Sequence, residues 1–274
     1  MLTLEMENIT LAYGPKDVVR NMTFKAVPGE MVGLVGPNGS GKSTIIKALC
    51  HVITPKSGRV LTNGHDISHL SFRDLAKTIS VVPQTPVLPS AFTAFEIVLM
   101  GRNPHLGMFQ YESKNDIDIA WEAMERCGVQ QFADRHISEL SGGEIQSVVI
   151  ARALAQETEG ILLDEPTANL DIGRQIEVLD LLKEECLKRN LTIIAAIHDL
   201  NLAAHYCEKL VLIKNGELYA FGSPREVITS ENICHVYGPG SYVHTHPLSG
   251  LPAVLPKVSN IKDSETCVVT ESLA

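Results

Sequence analysis

The sequence lacks the cysteine spacing of a disulfide framework or of a zinc site. Its six cysteines are scattered over 274 residues, and no C-x-x-C pair occurs among them. Scattered thiols are typical of proteins that work in a reducing compartment. No uninterrupted apolar stretch approaches the ~20 residues that a membrane-spanning helix needs. These two absences argue against a small secreted domain and against an integral membrane protein.

An excess of basic residues is also missing. Lysine and arginine number 23 against 32 aspartates and glutamates, which gives a formal net charge of −9. A nucleic-acid backbone favours a basic surface, so no nucleic-acid partner is expected. The segment from Met1 to Glu5 has neither a basic nor an apolar region, so no signal peptide is expected. Any role at a membrane would therefore depend on docking to another subunit.

A glycine-rich segment lies between a predicted strand at residues 31–35 and a predicted helix that begins near Ile45. Its spacing, G-x-x-x-x-G-K-[ST], is that of a phosphate-binding loop, in the strand–loop–helix setting that the motif requires. Glycines let successive backbone N–H groups point at phosphate oxygens, and the start of the helix adds a positive dipole end. In such a loop the lysine reaches the β- and γ-phosphates and the next hydroxyl can bind Mg²⁺. The nine residues of the loop are Gly36, Pro37, Asn38, Gly39, Ser40, Gly41, Lys42, Ser43 and Thr44.

An apolar strand that ends in two acids supplies the second element that such a site needs. Asp164 follows residues 161–163 and is placed to support Mg²⁺, while Glu165 is placed to polarise the attacking water as a general base. Two solvated acids after an ordinary strand are the alternative, which the nearby phosphate-binding loop makes unfavourable. A chance match to the whole loop motif is about one in a hundred. The sequence therefore predicts a site for a nucleoside triphosphate.

Short apolar segments alternate with helical patterns, and 45% of the residues are hydrophobic, enough for one large domain or a core with a subdomain. Buried strands alternating with helices indicate a mostly parallel sheet covered on both faces. The dipeptides Asn63-Gly64 and Asn215-Gly216 predict hairpin turns. Residues 93–128 are mostly helical and indicate an inserted subdomain. Asn115 or Asp116 is predicted to cap the second helix of that block, and Gly128 to end it.

The segment Leu140-Ser141-Gly142-Gly143-Glu144 opens a predicted helix before the acidic strand. Alone, it is typical of a flexible loop with a serine cap. In this order with the other two motifs, it resembles the signature motif of the ATP-binding cassette (ABC) family, the ATPase subunits of ABC transporters. The resemblance implies that Ser141, Gly142, Gly143 and Glu144 serve the nucleotide held by a second, antiparallel subunit, since a helix N-terminus favours anions.

Four further elements match positions of that family. Tyr13 corresponds to the aromatic residue that stacks on adenine, and Gln84 to the glutamine that contacts Mg²⁺ and water. The run Ala168-Asn169-Leu170-Asp171 corresponds to the loop that touches the partner subunit and its nucleotide. His198 corresponds to the switch histidine at the γ-phosphate, and the other motifs outweigh the usual structural interpretation of a lone histidine after a strand. The resemblance covers roughly residues 2–238.

The family resemblance implies an α/β fold: a P-loop NTPase (RecA-like) core with an N-terminal antiparallel β subdomain and an inserted α-helical subdomain. We expect residues 1–240 to form the ABC ATPase domain, with the helical subdomain at about 86–144. We expect residues 241–274 to form a short C-terminal extension and a flexible tail, the latter from Lys257 to Ala274.

The resemblance also implies the chemistry and the partners. ATP and Mg²⁺ would be the cofactors, and two ATP molecules would lie between the subunits of a homodimer. Integral membrane permease subunits and, indirectly, a substrate-binding protein would be partners, with the chain peripheral on the cytoplasmic face of the cell membrane. Catalysis is assigned to Lys42, Gln84, Glu165 and His198, and Mg²⁺ to Ser43, Gln84 and Asp164.

The signature helix departs from the family pattern. After Glu144 the family usually has Arg or Gln and then Gln-Arg, whereas this chain has Ile145-Gln146-Ser147. The change removes two basic positions, which puts local salt bridges in doubt but not phosphate contact by Ser141 and the glycines.

Residues 93–105 and the C-terminal segments 236–238 and 246–256 resemble the branch that serves importers of iron-siderophores, haem and cobalamin. Molybdate or another metal oxyanion is an alternative cargo. A soluble ATPase of the same superfamily and a regulatory module without turnover are alternatives to transport. Phe92, Phe95 and Met100 are candidate residues of a permease-binding groove, although helix packing explains each of them as well. The pair His244 and His246 could bind a transition metal, but two histidines without a third ligand are a weak pattern.

Overall fold

A computed structural model of the chain describes residues 1–168 and 170–257. The strands are β1 (Leu4–Tyr13), β2 (Lys16–Ala26), β3 (Met31–Val35), β4 (Ser57–Thr62), β5 (His65–Asp66), β6 (Ile79–Val82), β7 (Gly160–Asp164), β8 (Thr192–Ala196), β9 (Lys209–Lys214), β10 (Glu217–Gly222), β11 (Ser241–Thr245) and β12 (Pro252–Pro256). The α-helices are α1 (Lys42–Leu49), α2 (Phe72–Thr78), α3 (Ala94–Leu99), α4 (Lys114–Arg126), α5 (Gly142–Ala155), α6 (Ile172–Arg189), α7 (Leu200–Tyr206), α8 (Pro224–Val227) and α9 (Ser230–Tyr237). Short 3-10 turns cover Ile67–His69, Met100–His105, Gln130–Phe132 and Ile137–Glu139.

The central sheet has six strands in the order β10-β9-β3-β8-β7-β6. All pairs except the antiparallel β9–β10 pair are parallel. Strands β3, β7 and β8 are buried at every residue, which is why they are continuous apolar runs rather than alternating ones. The predicted parallel sheet is therefore confirmed. The sequence did not predict β6, because α2 ends at Thr78 and the strand begins at the next residue with no turn signal between them.

A second, antiparallel sheet with the order β2-β1-β4-β5 forms the N-terminal part, as expected. Both predicted hairpin turns are present. Asn63 and Gly64 join β4 to β5 with φ of 49° and 79°, and Asn215 and Gly216 join β9 to β10 with φ of 50° and 81°. Two successive positive φ values are those of a type I′ turn, whose twist matches that of the flanking strands.

The helical block between β6 and β7 contains α3, α4 and α5, which pack against one another. The prediction that Asn115 or Asp116 caps α4 is wrong: Ser113 is the cap. Its hydroxyl accepts a hydrogen bond from the Asp116 N–H (3.3 Å), while the Asp116 carboxylate accepts one from the Ser113 N–H (2.9 Å). Asp116 is thus the reciprocal member of a capping box. Gly128, with φ of 62°, follows the end of α4 as predicted.

Two apolar clusters lie on the two faces of the central sheet. One joins it to α1 and the N-terminal sheet, and the other joins it to α5, α6, α7 and the helical block. Residues 241–257 form a hairpin of β11 and β12, while the rest of the predicted flexible tail, residues 258–274, lies outside the described residues. The predicted domain boundaries stay predictions. Among residues 1–168 and 170–257, no helix is long and apolar enough to cross a bilayer.

Candidate active site

The predicted site residues follow four neighbouring strands of the central sheet. The phosphate-binding loop follows β3, His198 follows β8, Asp164 and Glu165 end β7, and Gln84 follows β6. These strands are adjacent in the order β3-β8-β7-β6 and run parallel. Because their carboxyl ends meet at one edge of the sheet, residues far apart in sequence converge there.

The phosphate-binding loop wraps around the side chain of its own lysine. Lys42 Nζ donates hydrogen bonds to the carbonyl oxygens of Gly36 (2.8 Å) and Pro37 (3.2 Å). Only 4% of Lys42 is exposed. Burial lowers the pKa of Lys42, while the charges of Glu165 and Asp164 oppose that shift. The ammonium is therefore held at the loop by carbonyl groups and two nearby carboxylates.

Ser43 and Asp164 bring two oxygen donors together beside the loop. The Ser43 hydroxyl donates a hydrogen bond to Asp164 Oδ1 (2.8 Å), across 121 positions of sequence. Burial raises the pKa of Asp164, opposed by that hydrogen bond, and only 8% of the residue is exposed. A hydroxyl and a carboxylate are the hard oxygen ligands that suit Mg²⁺, so the donor set fits the predicted ion.

Glu165 lies at the centre of a three-residue contact. Its carboxylate accepts a hydrogen bond from the Gln84 side-chain amide through one oxygen and contacts His198 Nε2 through the other. Its backbone has a φ of 55°, in the left-handed region that is uncommon for a residue with a side chain. The Glu165 N–H donates to the carbonyl of Ala196 at the end of β8 (3.2 Å), which holds this conformation in place.

One open cavity of about 370 Å³ is lined by most of these groups, whereas Asp164 lies outside its lining. Its walls are Val18, Asn38, Gly39, Gly41, Lys42, Ser43, Thr44, Gln84, Glu165 and His198. Val18, on β2, is the lining residue that sequence reasoning missed. Nothing in its local pattern distinguishes it from the other apolar residues of that strand, and only the packing of the N-terminal sheet brings it to the cavity.

Other predicted residues lie outside the lining of this cavity. Tyr13 ends β1 and is 49% exposed, on the same β1–β2 hairpin as Val18. Asp171 caps α6 by accepting a hydrogen bond from the Arg174 N–H (3.0 Å). Asn169, in the same predicted loop, lies outside the described residues.

The predicted signature segment caps α5. The Ser141 hydroxyl donates to the Glu144 carboxylate (2.7 Å), and hydrogen bonds from Ser141 lower the pKa of Glu144. Ser141 and Gly142 are exposed to solvent and do not line the cavity. Where the family pattern has a basic residue, the Ser147 hydroxyl returns a hydrogen bond to the carbonyl of Gly143 (3.2 Å).

Within residues 1–168 and 170–257, the histidine pair of the C-terminal hairpin is not part of a larger metal-binding group. His246 Nδ1 accepts a hydrogen bond from the Ser249 N–H (3.3 Å), and the His244 ring lies 5.9 Å from that of Tyr242. In the part of the chain that the structure describes, no group of three or more metal-binding side chains occurs.

A phosphate-binding loop beside an acidic strand end, a glutamine and a histidine on one parallel sheet defines the class of P-loop ATPases. The model of the family described as "ABC transporter" matches residues 19–168. The ferric enterobactin transport ATP-binding protein of Escherichia coli is 38% identical over 253 residues, which span 92% of this chain and 93% of that protein.

Two solved structures extend the comparison. An ABC transporter of the metal-chelate type, in an inward-facing conformation, superposes with a TM-score of 0.82 at 29% identity, covering 94% of this chain and 99% of that one. A dimeric bacterial ABC transporter cassette superposes with a TM-score of 0.72 at 29% identity, covering 80% and 98%. The chain therefore belongs to the ABC transporter family, as an ATP-binding ATPase subunit.

Proposed function

We propose that this protein hydrolyses ATP as the nucleotide-binding subunit of an importer for a metal chelate. The contact of Glu165 with Gln84 and His198, directly beside Lys42 and Ser43 in one cavity, carries the proposal. In this proposal that carboxylate, amide and imidazole would surround the terminal phosphate of a bound nucleotide.

The loop residues bind the phosphates in this proposal. Backbone N–H groups of residues 38–44 would donate to the phosphate chain, and Lys42 would exchange its carbonyl partners for the β- and γ-phosphate oxygens. Ser43, Asp164 and Gln84 would hold Mg²⁺, which would neutralise phosphate charge when bound. Tyr13 would stack on the adenine from the edge of the N-terminal sheet.

Glu165 is the proposed general base. Its carboxylate accepts a proton from the water whose oxygen attacks the γ-phosphorus, as the bond from that phosphorus to the bridging oxygen breaks and ADP leaves. Gln84 and His198 hold the carboxylate from both sides, which limits its rotation before the reaction. In this proposal His198 would also donate a hydrogen bond to the γ-phosphate.

A second copy of the chain would complete the site. Ser141 and Gly142 are exposed at the start of α5 and do not line the chain's own cavity. In an antiparallel dimer, Ser141, Gly142, Gly143 and Glu144 of one copy would meet the γ-phosphate bound to the other, with Asp171 at the same contact. ATP would then close the dimer and hydrolysis would open it, since the bridging phosphate is lost.

The permease would dock in a groove on another face of the molecule. This groove, of about 560 Å³, lies between α2, β6 and the start of the helical block. Of the three candidate residues from the sequence, Met100 lines it, whereas Phe95 stacks on Trp121 with ring centroids 4.8 Å apart. Its walls are Cys50, Val52, Phe72, Leu75, Ala76, Ile79, Val81, Met100, Gly101, Asn103, Pro104, Arg152 and Gln156. The chain would thereby sit on the cytoplasmic face of the membrane.

The cargo class follows from the relatives. Ferric enterobactin and the cargo of a metal-chelate transporter are both chelated metals, and the matches cover nearly the whole chain. A substrate-binding protein would deliver such a cargo to the permease.

The proposal is tested with Glu165→Gln, which keeps the size of the side chain but removes its basicity. We expect ATP binding at the parent's affinity, loss of turnover by about a hundredfold or more, and a dimer that persists in ATP on size-exclusion chromatography. Glu159→Gln is the matched control, because Glu159 pairs with the Met1 amino group at the other end of the same strand. Turnover of Glu165→Gln at the parent's rate would remove Glu165 from the chemistry.

A further inference from the structure

Helix α7 begins at Leu200, two residues after His198. Its first turn is more exposed than its second half. The Asp199 carboxylate caps it by accepting hydrogen bonds from the N–H groups of Asn201 (2.7 Å) and Leu202 (3.0 Å). Farther along, Ala203 and Ala204 are buried in the core. The first turn, which contains Asn201, and His198, two residues before the helix, lie at the surface. A contact that holds this first turn therefore also restrains the backbone that carries His198.

The C-terminal hairpin contacts this first turn through Asn201. The Val254 N–H donates to Asn201 Oδ1 (2.7 Å), and Asn201 Nδ2 donates to the Val254 carbonyl oxygen (3.2 Å). The side-chain amide therefore binds one residue of β12 at both backbone groups, as a neighbouring strand would. Val254 also packs against the core that contains α7.

On the outer edge of β12, one residue of the strand has a backbone N–H that can donate such a hydrogen bond. On the β12 side, the odd-numbered residues pair with β11: the Leu251 carbonyl accepts from the His246 N–H (2.7 Å), and the Lys257 N–H donates to the Gly240 carbonyl (2.8 Å). N–H groups alternate sides along a strand, so positions 252, 254 and 256 face outward. Pro252 and Pro256 have no N–H to offer, and prolines block an edge to further strands. Between the two prolines, Val254 retains its outward N–H, which donates to Asn201 Oδ1.

The other end of the hairpin packs against helix α9, which β11 follows after Gly238. Val243, on β11, packs against the same apolar core as Ile233 and Val236 of α9. The hairpin is therefore held to the core at β11 and contacts the first turn of α7 at β12.

We propose that Asn201 is a positioning residue for His198, and that the hairpin of β11 and β12 is a strap that fixes the first turn of α7 to the core. The inference rests on the proposed role of His198 at the γ-phosphate. The His198 side chain is 43% exposed and its contact is with Glu165, so packing of the ring itself does little to fix it. Small displacements of a catalytic group have large effects on rate, whereas the phosphate contacts of the loop need no strap.

Two variants break the contact from its two sides. Asn201→Ala removes the amide, and Val254→Pro removes the outward N–H together with the packed valine side chain, in a strand that already has prolines at the two flanking outward positions. We expect kcat to fall roughly tenfold in each, with ATP affinity changed by less than about twofold. Hydrogen exchange of amides 198–204 should accelerate in both. The double variant should be no slower than either single one, because both remove the same contact.

Asn232→Ala is the matched control. Asn232 also donates a side-chain hydrogen bond to a backbone carbonyl, that of Val227 (2.9 Å), but it holds α8 and α9 together rather than α7. It should lower the melting temperature and leave kcat at the parent's value. If Asn201→Ala and Val254→Pro behave like Asn232→Ala, losing stability without loss of kcat, the contact is merely structural and the proposal is wrong.

His198→Ala distinguishes a failure of the strap proposal from a failure of the proposed role of His198. A parent-like kcat in His198→Ala would refute the role of His198 on which the inference rests. Loss of turnover in His198→Ala, together with normal turnover in the Asn201 and Val254 variants, would leave the proposed function intact and refute the strap alone.

Discussion

Glu165 combines an unusual backbone conformation with the most contacts in the site. A left-handed residue with a side chain costs of order 1 kcal/mol or more and persists where its surroundings fix it. Here the hydrogen bond to Ala196 and the contacts with Gln84 and His198 do so. In this conformation Glu165 lines the same cavity as the phosphate-binding loop. At this residue, local strain and the proposed chemistry coincide.

The glycines of the phosphate-binding loop differ in what they can tolerate. Gly36 has a φ of 151°, and a Cβ there would overlap the Ile213 carbonyl oxygen, whereas Gly39 has a φ of 77° and open space around it. We expect Gly36→Ala to lower the free energy of unfolding by about 2–4 kcal/mol and Gly39→Ala by about 1 kcal/mol. Urea denaturation without nucleotide measures both. Equal losses would mean that the backbone at Gly36 moves away from Ile213 at little cost.

Helix α4 is held to the rest of the protein by a buried ion pair. Arg102 Nε donates to Asp116 Oδ1 (3.0 Å), and Arg102 Nη1 donates to the Ala155 carbonyl (2.8 Å) and to Glu157 (2.9 Å). Asp116 is at once the capping partner of Ser113 and the counter-ion of Arg102. One carboxylate therefore fixes both the start of α4 and its attachment to α5.

The stability that Asp116 contributes should depend on pH. Hydrogen bonds from Ser113, with a further contribution from Arg102, lower its pKa from 3.8 to about 2. Because the pKa is lower in the folded state, this stabilisation is present above about pH 4 and is lost as the pH falls towards about 2. We expect Asp116→Asn to lower the free energy of unfolding at pH 7 by about 2 kcal/mol, and the gap to the parent to close over that window.

Denaturant titrations at several pH values measure this gap. Asp118→Asn, an exposed position on the same helix, is the control and should change little at any pH. A gap that stays constant down to pH 2 would show that the charge of Asp116 is not what stabilises α4.

On the scale of the whole molecule, the ATP cavity and the proposed docking groove share the segment from Ile79 to Gln84. Ile79 and Val81 line the groove, and Gln84, two residues after the strand, lines the cavity. Movement of this short segment would therefore change the geometry of both sites. It is the shortest covalent path between the permease contact and the proposed catalytic residues.

Docking in the groove should be separable from ATP hydrolysis. Phe72 is 73% exposed at the groove wall, so Phe72→Glu should leave the ATPase activity of the isolated protein unchanged and reduce recovery of a permease from solubilised membranes by about tenfold. Phe109→Glu is the control, because Phe109 is equally prominent on the surface but lies outside the groove. Equal recovery with both variants would place the permease contact elsewhere.

The sequence determined those features that depend on residue type and local spacing. The phosphate-binding loop, the two acids after β7, the hairpin turns at Asn63-Gly64 and Asn215-Gly216 and the buried parallel strands all follow from short patterns with a direct steric or electrostatic cause. The family resemblance supplied the candidates Gln84 and His198, which no local pattern marks. Sequence patterns could not identify the cap of α4, because Ser113, Asn115 and Asp116 are all suitable capping residues.

The tertiary structure decided what depends on contacts between distant segments. Only the sheet order brings Gln84, Glu165 and His198 together, because the carboxyl ends of β6, β7 and β8 are neighbours in space. Only packing brings Val18 to the cavity and sets Val254 against Asn201. The prolines at 252 and 256 are visible in the sequence, but their meaning depends on which edge of β12 faces outward. That edge is fixed by the pairing register of the hairpin, since a shift by one residue would turn the prolines towards β11.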